Sequence, residues 1–152
     1  MSIELQELAN EECMAYLQNL WPKYREELIL AGASIAEADA NIERNQQTIS
    51  PNGVIAPGQK MFRAVLDGEH IGNLWLAERE AGDWFVYDIE VFVDFRGRGL
   101  GRETMLLAEE YARAHGATKL GLSVFGFNTT ARSLYESLGY SIVAMSMSKA
   151  LD

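Results

Sequence analysis

Residues 91–102 read Val-Phe-Val-Asp-Phe-Arg-Gly-Arg-Gly-Leu-Gly-Arg. An apolar run over residues 84–93 feeds a turn holding Gly97, Gly99 and Gly101, and an amphipathic pattern follows as far as His115. Strand, glycine turn and helix start, in that order, make a seat for an anion. Glycine lets the backbone curl and come close to a ligand because it carries no Cβ. The first N–H groups of a helix have no partner within it and hold the positive end of its dipole. A phosphate meets both demands. Arg96, Arg98 and Arg102 concentrate positive charge here, in a chain whose formal net charge is −9.

Several glycine loops bind phosphate. A P-loop needs Gly-Lys-Ser or Gly-Lys-Thr, and no such lysine follows these glycines. A dinucleotide turn, Gly-x-Gly-x-x-Gly, would put its last glycine where Arg102 stands. It also wants an acid at the end of the next strand, and residues 119–125 end without one. The pattern Arg-x-x-Gly-x-Gly is met by Arg96, Gly99 and Gly101. The glycines alone fit a plain tight turn equally well.

A chain of 152 residues, 48% apolar, suits one folded domain spanning 1–152 and excludes general disorder. No apolar run is long enough for a bilayer and residues 1–10 do not read as a signal peptide, so a soluble cytoplasmic protein with no membrane partner is expected. The acidic balance disfavours nucleic acid and is compatible with a cationic substrate. The single Cys13 lies among apolar helix positions and reads as a buried, inert thiol. No Cys/His cluster offers a metal site.

In chain order, residues 2–6 hint at a strand. Asn10 reads as the cap of a helix that Pro22 should kink or divide, with Gly32 as its stop. Ser34 and Glu37 form a capping-box pattern for a second helix fading near Thr48. Residues 50–58 are loop. Asp67-Gly68 marks a hairpin between strands at 61–66 and 69–77. In strand 84–93, strict alternation puts Val86, Asp88, Glu90 and Phe92 on one face, and Phe85, Tyr87, Ile89 and Val91 on the other. A helix at 100–115, a strand at 119–125, a helix capped by Asn128, and a β-like segment at 140–151 complete a mixed α/β layout with one parallel crossover.

The segment Asn128, Ala131, Leu134-Tyr135 and Gly139-Tyr140 resembles the second signature of the GNAT N-acetyltransferases, Asn-x-x-Ala-x-x-Leu-Tyr-x-x-x-Gly-Phe/Tyr. Together with Arg96-x-x-Gly99-x-Gly101, which resembles that family's pyrophosphate loop, it covers residue 61 to the C-terminus well. Residues 1–60 agree in layout. The resemblance implies an α/β (α+β) GNAT fold, a mixed central sheet with splayed parallel strands flanked by helices. It implies acetyl-CoA as co-substrate, lying between strands 84–93 and 119–125. The backbone of Ile89, Glu90 and Val91 would meet the pantetheine, and the N–H groups of Gly97, Arg98, Gly99, Leu100, Gly101 and Arg102 the pyrophosphate. Arg96 would support the loop or pair with phosphate.

The resemblance also gives Asn128 a cofactor contact beyond its helix cap and makes Tyr135 the proton donor to the leaving thiolate. Asp88 and Glu90, beside the expected thioester, are both candidates for the base that takes the amine's proton. A solvated acidic strand face is their plainer explanation. Where family members that acetylate protein N-termini carry a glutamate, this chain has Ser123. The acceptor is a small-molecule or peptide amine, walled by residues 10–58, and family habit would make the protein a homodimer. The expected activity is transfer of acetyl to a primary amine by direct attack on the thioester. A non-catalytic acyl-CoA sensor on the same fold, and a Rossmann-type nucleotide domain, are the rival readings.

Overall fold

A computed structural model describes residues 2–151. Five strands form one sheet in the order β1-β2-β3-β4-β5: β1 (Ile3–Glu7), β2 (Gln59–Leu66), β3 (Glu69–Glu80), β4 (Asp83–Val91) and β5 (Lys119–Leu122). The first four are mutually antiparallel, and β5 runs parallel to β4. Helices α1 (Asn10–Leu30) and α2 (Ile35–Ile49) follow β1, α3 (Leu100–Ala114) links β4 to β5, and α4 (Thr129–Ser137) follows β5. The β2–β3 hairpin turns on Asp67 and Gly68, with φ of 51° and 82°. Positive φ at both central residues gives the twist that two antiparallel strands need.

The sheet separates two cores. Met61 and Trp75 meet Leu17, Trp21 and Ile42 of α1 and α2 on one face. Leu74, Leu76 and Trp84 meet Met105 and Ala108 of α3 on the other. Leu74 and Leu76 are fully buried, and each such side chain contributes roughly 2 kcal/mol of transfer free energy. β3 is the hub, since alternate residues feed alternate cores.

Several expectations need correction. Pro22 neither divides nor ends α1. Leu17 and Trp21 are buried ahead of it and Tyr24 and Leu28 partly buried after it, so tertiary packing offsets the lost hydrogen bond. Ala9, not Asn10, is the cap; Asn10 instead pins the loop after α2, accepting from Ile55 N–H at 2.9 Å and donating to the Gly53 carbonyl at 3.1 Å. β4 stops at Val91 and β5 at Leu122, each shorter than the apolar run predicts. Residues 140–151 form no strand. The Ser34/Glu37 capping box stands, with both reciprocal hydrogen bonds made.

Gly72 in β3 faces the bend of β4, and a Cβ there would collide with the Glu90 carbonyl oxygen. Gly72→Ala is therefore expected to push β4 outward and to destabilise the fold by about 1–3 kcal/mol, the usual range for overpacking. Urea unfolding measures this; an unchanged midpoint would show that β4 has slack.

Candidate active site

Site geometry begins with a bulge. In the β3–β4 ladder Trp75 pairs with Asp88 but Leu76 pairs with Val86, so Tyr87 is an extra residue on β4. A bulge resets which face each side chain takes and bends the strand. Val86 and Ile89 accordingly pack in the core under α3, and Val91 packs beside Leu100. Tyr87 stacks on Trp75 with centroids 4.9 Å apart, on the α1 side. Asp88 and Glu90 join it there, touching Tyr16 and Lys23 of α1. Strict alternation thus fails: Val86 does not share a face with Asp88 and Glu90.

Bulge and crossover together open the sheet. Parallel pairing with β5 ends at Val86 and Leu122. Beyond it, residues 87–91 have β3 on one side and no strand on the other. A cleft of about 1380 Å³ occupies that gap and runs from α1 to the glycine loop and α4. It collects Asp88, Ile89, Glu90 and Val91 from β4, and Asn128 and Tyr135 from the α4 region. Arg96, Gly97, Gly99, Leu100, Gly101 and Arg102 line it too. Arg98 does not line it and is exposed.

The loop holds its shape through two glycines. Gly97 and Gly99 have φ of 77° and 76°, the left-handed region where a Cβ is strained. Gly99 is the N-cap of α3. Among the described residues, no acceptor takes the N–H groups of residues 97–102. These donors, at the positive end of α3, suit an anionic group. Arg96 folds back so that Nε donates to the Val91 carbonyl at 2.9 Å, tying the loop to the strand end. Arg102 Nη1 donates to Ser137 Oγ at 2.8 Å and ties α3 to α4.

On the far wall, Asn128 Oδ1 accepts from Ala131 N–H at 3.2 Å and starts α4. Tyr135, about two turns on, lies partly buried on the core side of α4, edge-on to Tyr140. Burial, and then the charge of Asp88, raise the Tyr135 phenol above its usual value, so it keeps its proton at neutral pH. Tyr135 and Asp88 line the same cleft.

Asp88 is the most perturbed carboxylate here. Burial pushes it up to about 6, helped by the charges of Glu90 and Glu27 and opposed by the Tyr16 hydroxyl, which donates to Oδ2, and by Lys23. It keeps some surface towards the cleft while protein encloses its other sides. Glu90 differs: its Oε2 lies 3.4 Å from Lys23 Nζ in a solvent-facing pair, which holds little energy.

Tyr16, Lys23 and Glu27 form one stripe of α1 towards the cleft, and sequence reading missed all three. Their spacing of seven and four residues, which puts them on one helix face, was the available signal. His70, just after the β2–β3 turn, also lines the cleft and meets Asn73 Oδ1 at 2.8 Å. Cys13 is buried and its thiol raised by burial, as an inert core cysteine would be.

Comparison with known proteins gives this geometry its class. A family profile described as "Acetyltransferase (GNAT) family" matches residues 9–140. The chain belongs to the GNAT acetyltransferase family, and it is an acetyl-CoA-dependent N-acetyltransferase. It is 32% identical over 157 residues to YycN of Bacillus subtilis, described as an uncharacterised N-acetyltransferase, covering 99% of this chain and all of that one. YdgE of the same organism, described likewise, is 30% identical with 99% of each chain covered. The crystal structure of YycN superposes with a TM-score of 0.88 over 99% of both chains at 29% identity. Among the described residues, no helix is long and apolar enough to cross a membrane.

Gly99→Asp puts a side chain on a left-handed position and a negative charge against the free amides. Calorimetry with CoA is expected to show binding lost in this variant, while circular dichroism stays that of the parent. Retained affinity would place the phosphates elsewhere.

Proposed function

We propose that this chain acetylates a primary amine held against α1, with Asp88 as base and Tyr135 as acid. The observation that carries the reading is the pairing of these two groups. Burial pushes Asp88 up to about 6, and burial, with the charge of Asp88, raises the Tyr135 phenol so that it stays protonated. Both line the cleft where β4 has left β5. A base with a pKa just below neutrality and an acid well above it are the two functions that amine acylation needs.

Acetyl-CoA supplies an activated thioester. The residues present fit it: residues 97–102 offer free amides to a diphosphate, and residues 87–91 offer an unladdered strand edge to the pantetheine amides. N–H groups of residues 89–91 are the available donors for the thioester carbonyl, whose polarisation favours attack. The amine attacks directly, with no acyl-enzyme. Asp88 takes the amine's proton, directly or through one water, while Tyr16 holds its carboxylate in place. Tyr135 keeps a proton at Oη for the departing thiolate.

Glu90, paired with Lys23, is assigned to acceptor binding and not to proton transfer. Lys23, Glu27 and Glu90 together surround the acceptor with both signs of charge, which favours a polar amine, small molecule or peptide. No metal takes part in this scheme. The sensor alternative has no specific observation in its favour, since a pure binding module has no use for the Asp88–Tyr135 pairing.

Asp88 must be ionised to act, so kcat/KM is expected to rise with pH and bend near the value of about 6 set by its environment. Asp88→Asn should remove that bend and lower the plateau by about 10²-fold or more. A profile without the bend, or the same bend in the variant, would remove Asp88 from the reaction. Burial also reverses the usual carboxylate effect on stability. The folded state binds this proton more tightly than the unfolded chain does. Asp88 therefore contributes stability at low pH that is lost as pH rises through about 6.

Tyr135→Phe keeps the ring and loses the proton. It is expected to lower kcat by about 10²-fold while leaving CoA affinity by calorimetry near the parent's. An unchanged kcat would assign the proton to solvent.

A further inference from the structure

Lys23 differs from the other groups that line the cleft, because it is itself a primary amine. Tyr16 and Lys23 are seven residues apart on α1, about 10 Å along its axis. Their partners on β4, Asp88 and Glu90, are two residues apart, about 7 Å. A helical side chain leans back towards the N-terminus of its helix. The Lys23 stem therefore closes the difference and brings Nζ to the carboxylates of the strand. Nζ lies 3.4 Å from Glu90 Oε2, and its charge acts on Asp88. Lys23, Asp88, Glu90 and Tyr135 thus line one cleft.

The chain has three further lysines, and none is placed this way. Lys60 pairs with Glu7 at 3.8 Å and Lys119 with Asp83 at 3.8 Å, neither lining the cleft. Lys149 is exposed and does not line it either. Arg63, Arg96 and Arg102 do line it, but a guanidinium keeps its proton and is no nucleophile. The Lys23–Glu90 pair faces solvent, so parting it costs little. The flexible four-carbon stem of a lysine can then carry Nζ along the strand.

We infer that Lys23 is a self-acetylation site: when no acceptor amine occupies the cleft, the enzyme transfers acetyl from its own bound acetyl-CoA to Lys23 Nζ. The inference rests on the roles given above to Asp88 and Tyr135. Nζ attacks the acetyl carbonyl, a C–N bond forms and the C–S bond breaks. Of the two protons that the ammonium sheds, one goes to Asp88 and one to solvent. Tyr135 gives its proton to the departing thiolate and regains one from solvent, to which Asp88 also returns its own. The products are Nε-acetyl-lysine, CoA and one net proton. Acetylation removes the positive charge of Lys23, so Glu90 loses its counter-charge and the acceptor site becomes more acidic. Acceptor and Lys23 need the same thioester and the same base, so each excludes the other.

The test incubates the full chain with acetyl-CoA and no amine, and follows acetyl on each lysine by peptide mass spectrometry. Lys23 is expected to gain one acetyl group, with Lys60, Lys119 and Lys149 at background. Its time course is expected to be the same at every protein concentration, as transfer within one chain requires. Asp88→Asn is expected to slow it by about 10²-fold. Lys23→Arg, which keeps the charge, is expected to bring total acetyl on the chain to background. In parallel, thiol release is measured with a diamine, an amino acid and a lysine-containing peptide. Any of these that is turned over is expected to slow the labelling of Lys23 when present in excess. Turnover of an amine with Lys23 never modified overturns the inference and leaves the proposed function standing. No thiol release with any amine, together with no labelling, overturns both. Equal labelling of all four lysines overturns the inference, as does a rate that scales with protein concentration. Labelling of Lys23 indifferent to a competing amine overturns it as well.

Discussion

β4 and β5 run together for four residue pairs and then separate, and nearly everything the site does depends on that separation. Two strands of one sheet normally stay paired, because their backbone donors and acceptors have nowhere else to go. Here Tyr87 is an extra residue that breaks the regular pairing of β4, and β5 ends at Leu122. What remains is half of a strand with a free edge, walled on one side by α1 and on the other by α4, with the start of α3 at its end. Extended chain with amides along it and phosphates at one terminus is the ligand shape such a gap fits.

The same bulge decides the electrostatics. Without the extra residue, Asp88 and Glu90 would lie under α3 with Val86. With it, they lie under α1, where Tyr16 and Lys23 reach them. The two carboxylates then diverge because their surroundings differ. Asp88 is enclosed, so its proton affinity rises although the Tyr16 hydroxyl opposes the shift; Glu90 meets an ammonium near solvent. Gly72 allows the bend by leaving room for the Glu90 carbonyl. In the proposed reaction, backbone geometry, more than the presence of any one acid, separates the proton-transfer group from the binding group.

How much of this was legible in the sequence follows from the range of each signal. Local chemistry read well. The glycine loop, the Ser34 and Asn128 caps, the Asp67-Gly68 turn and the amphipathic α3 are set within a few residues of one another, and the structure has all of them. The two signature stretches also placed Ile89, Val91, Gly99 and Tyr135 beside one cleft. Features that depend on distant partners read poorly. The bulge at Tyr87 is invisible to an alternation rule, so Val86 went to the wrong face. α1 survives Pro22 because Trp21 packs edge-on against Trp75, centroids 6.2 Å apart, fifty-four positions away. Tyr16 gave no signal because its partner, Asp88, lies seventy-two residues on. Residues 140–151 have the composition of a strand, but strand formation needs a neighbour, and they join no ladder among the described residues.

The central claim is that the parted edge of β4 and the amides at the start of α3 form one continuous binding surface. Hydrogen exchange followed by mass spectrometry, with and without saturating CoA, tests it at the backbone itself. The account predicts slowed exchange in two separated stretches, residues 87–91 and 97–102, with little change along the β1–β2 edge. Protection of the loop alone, or protection spread evenly over the chain, would contradict it.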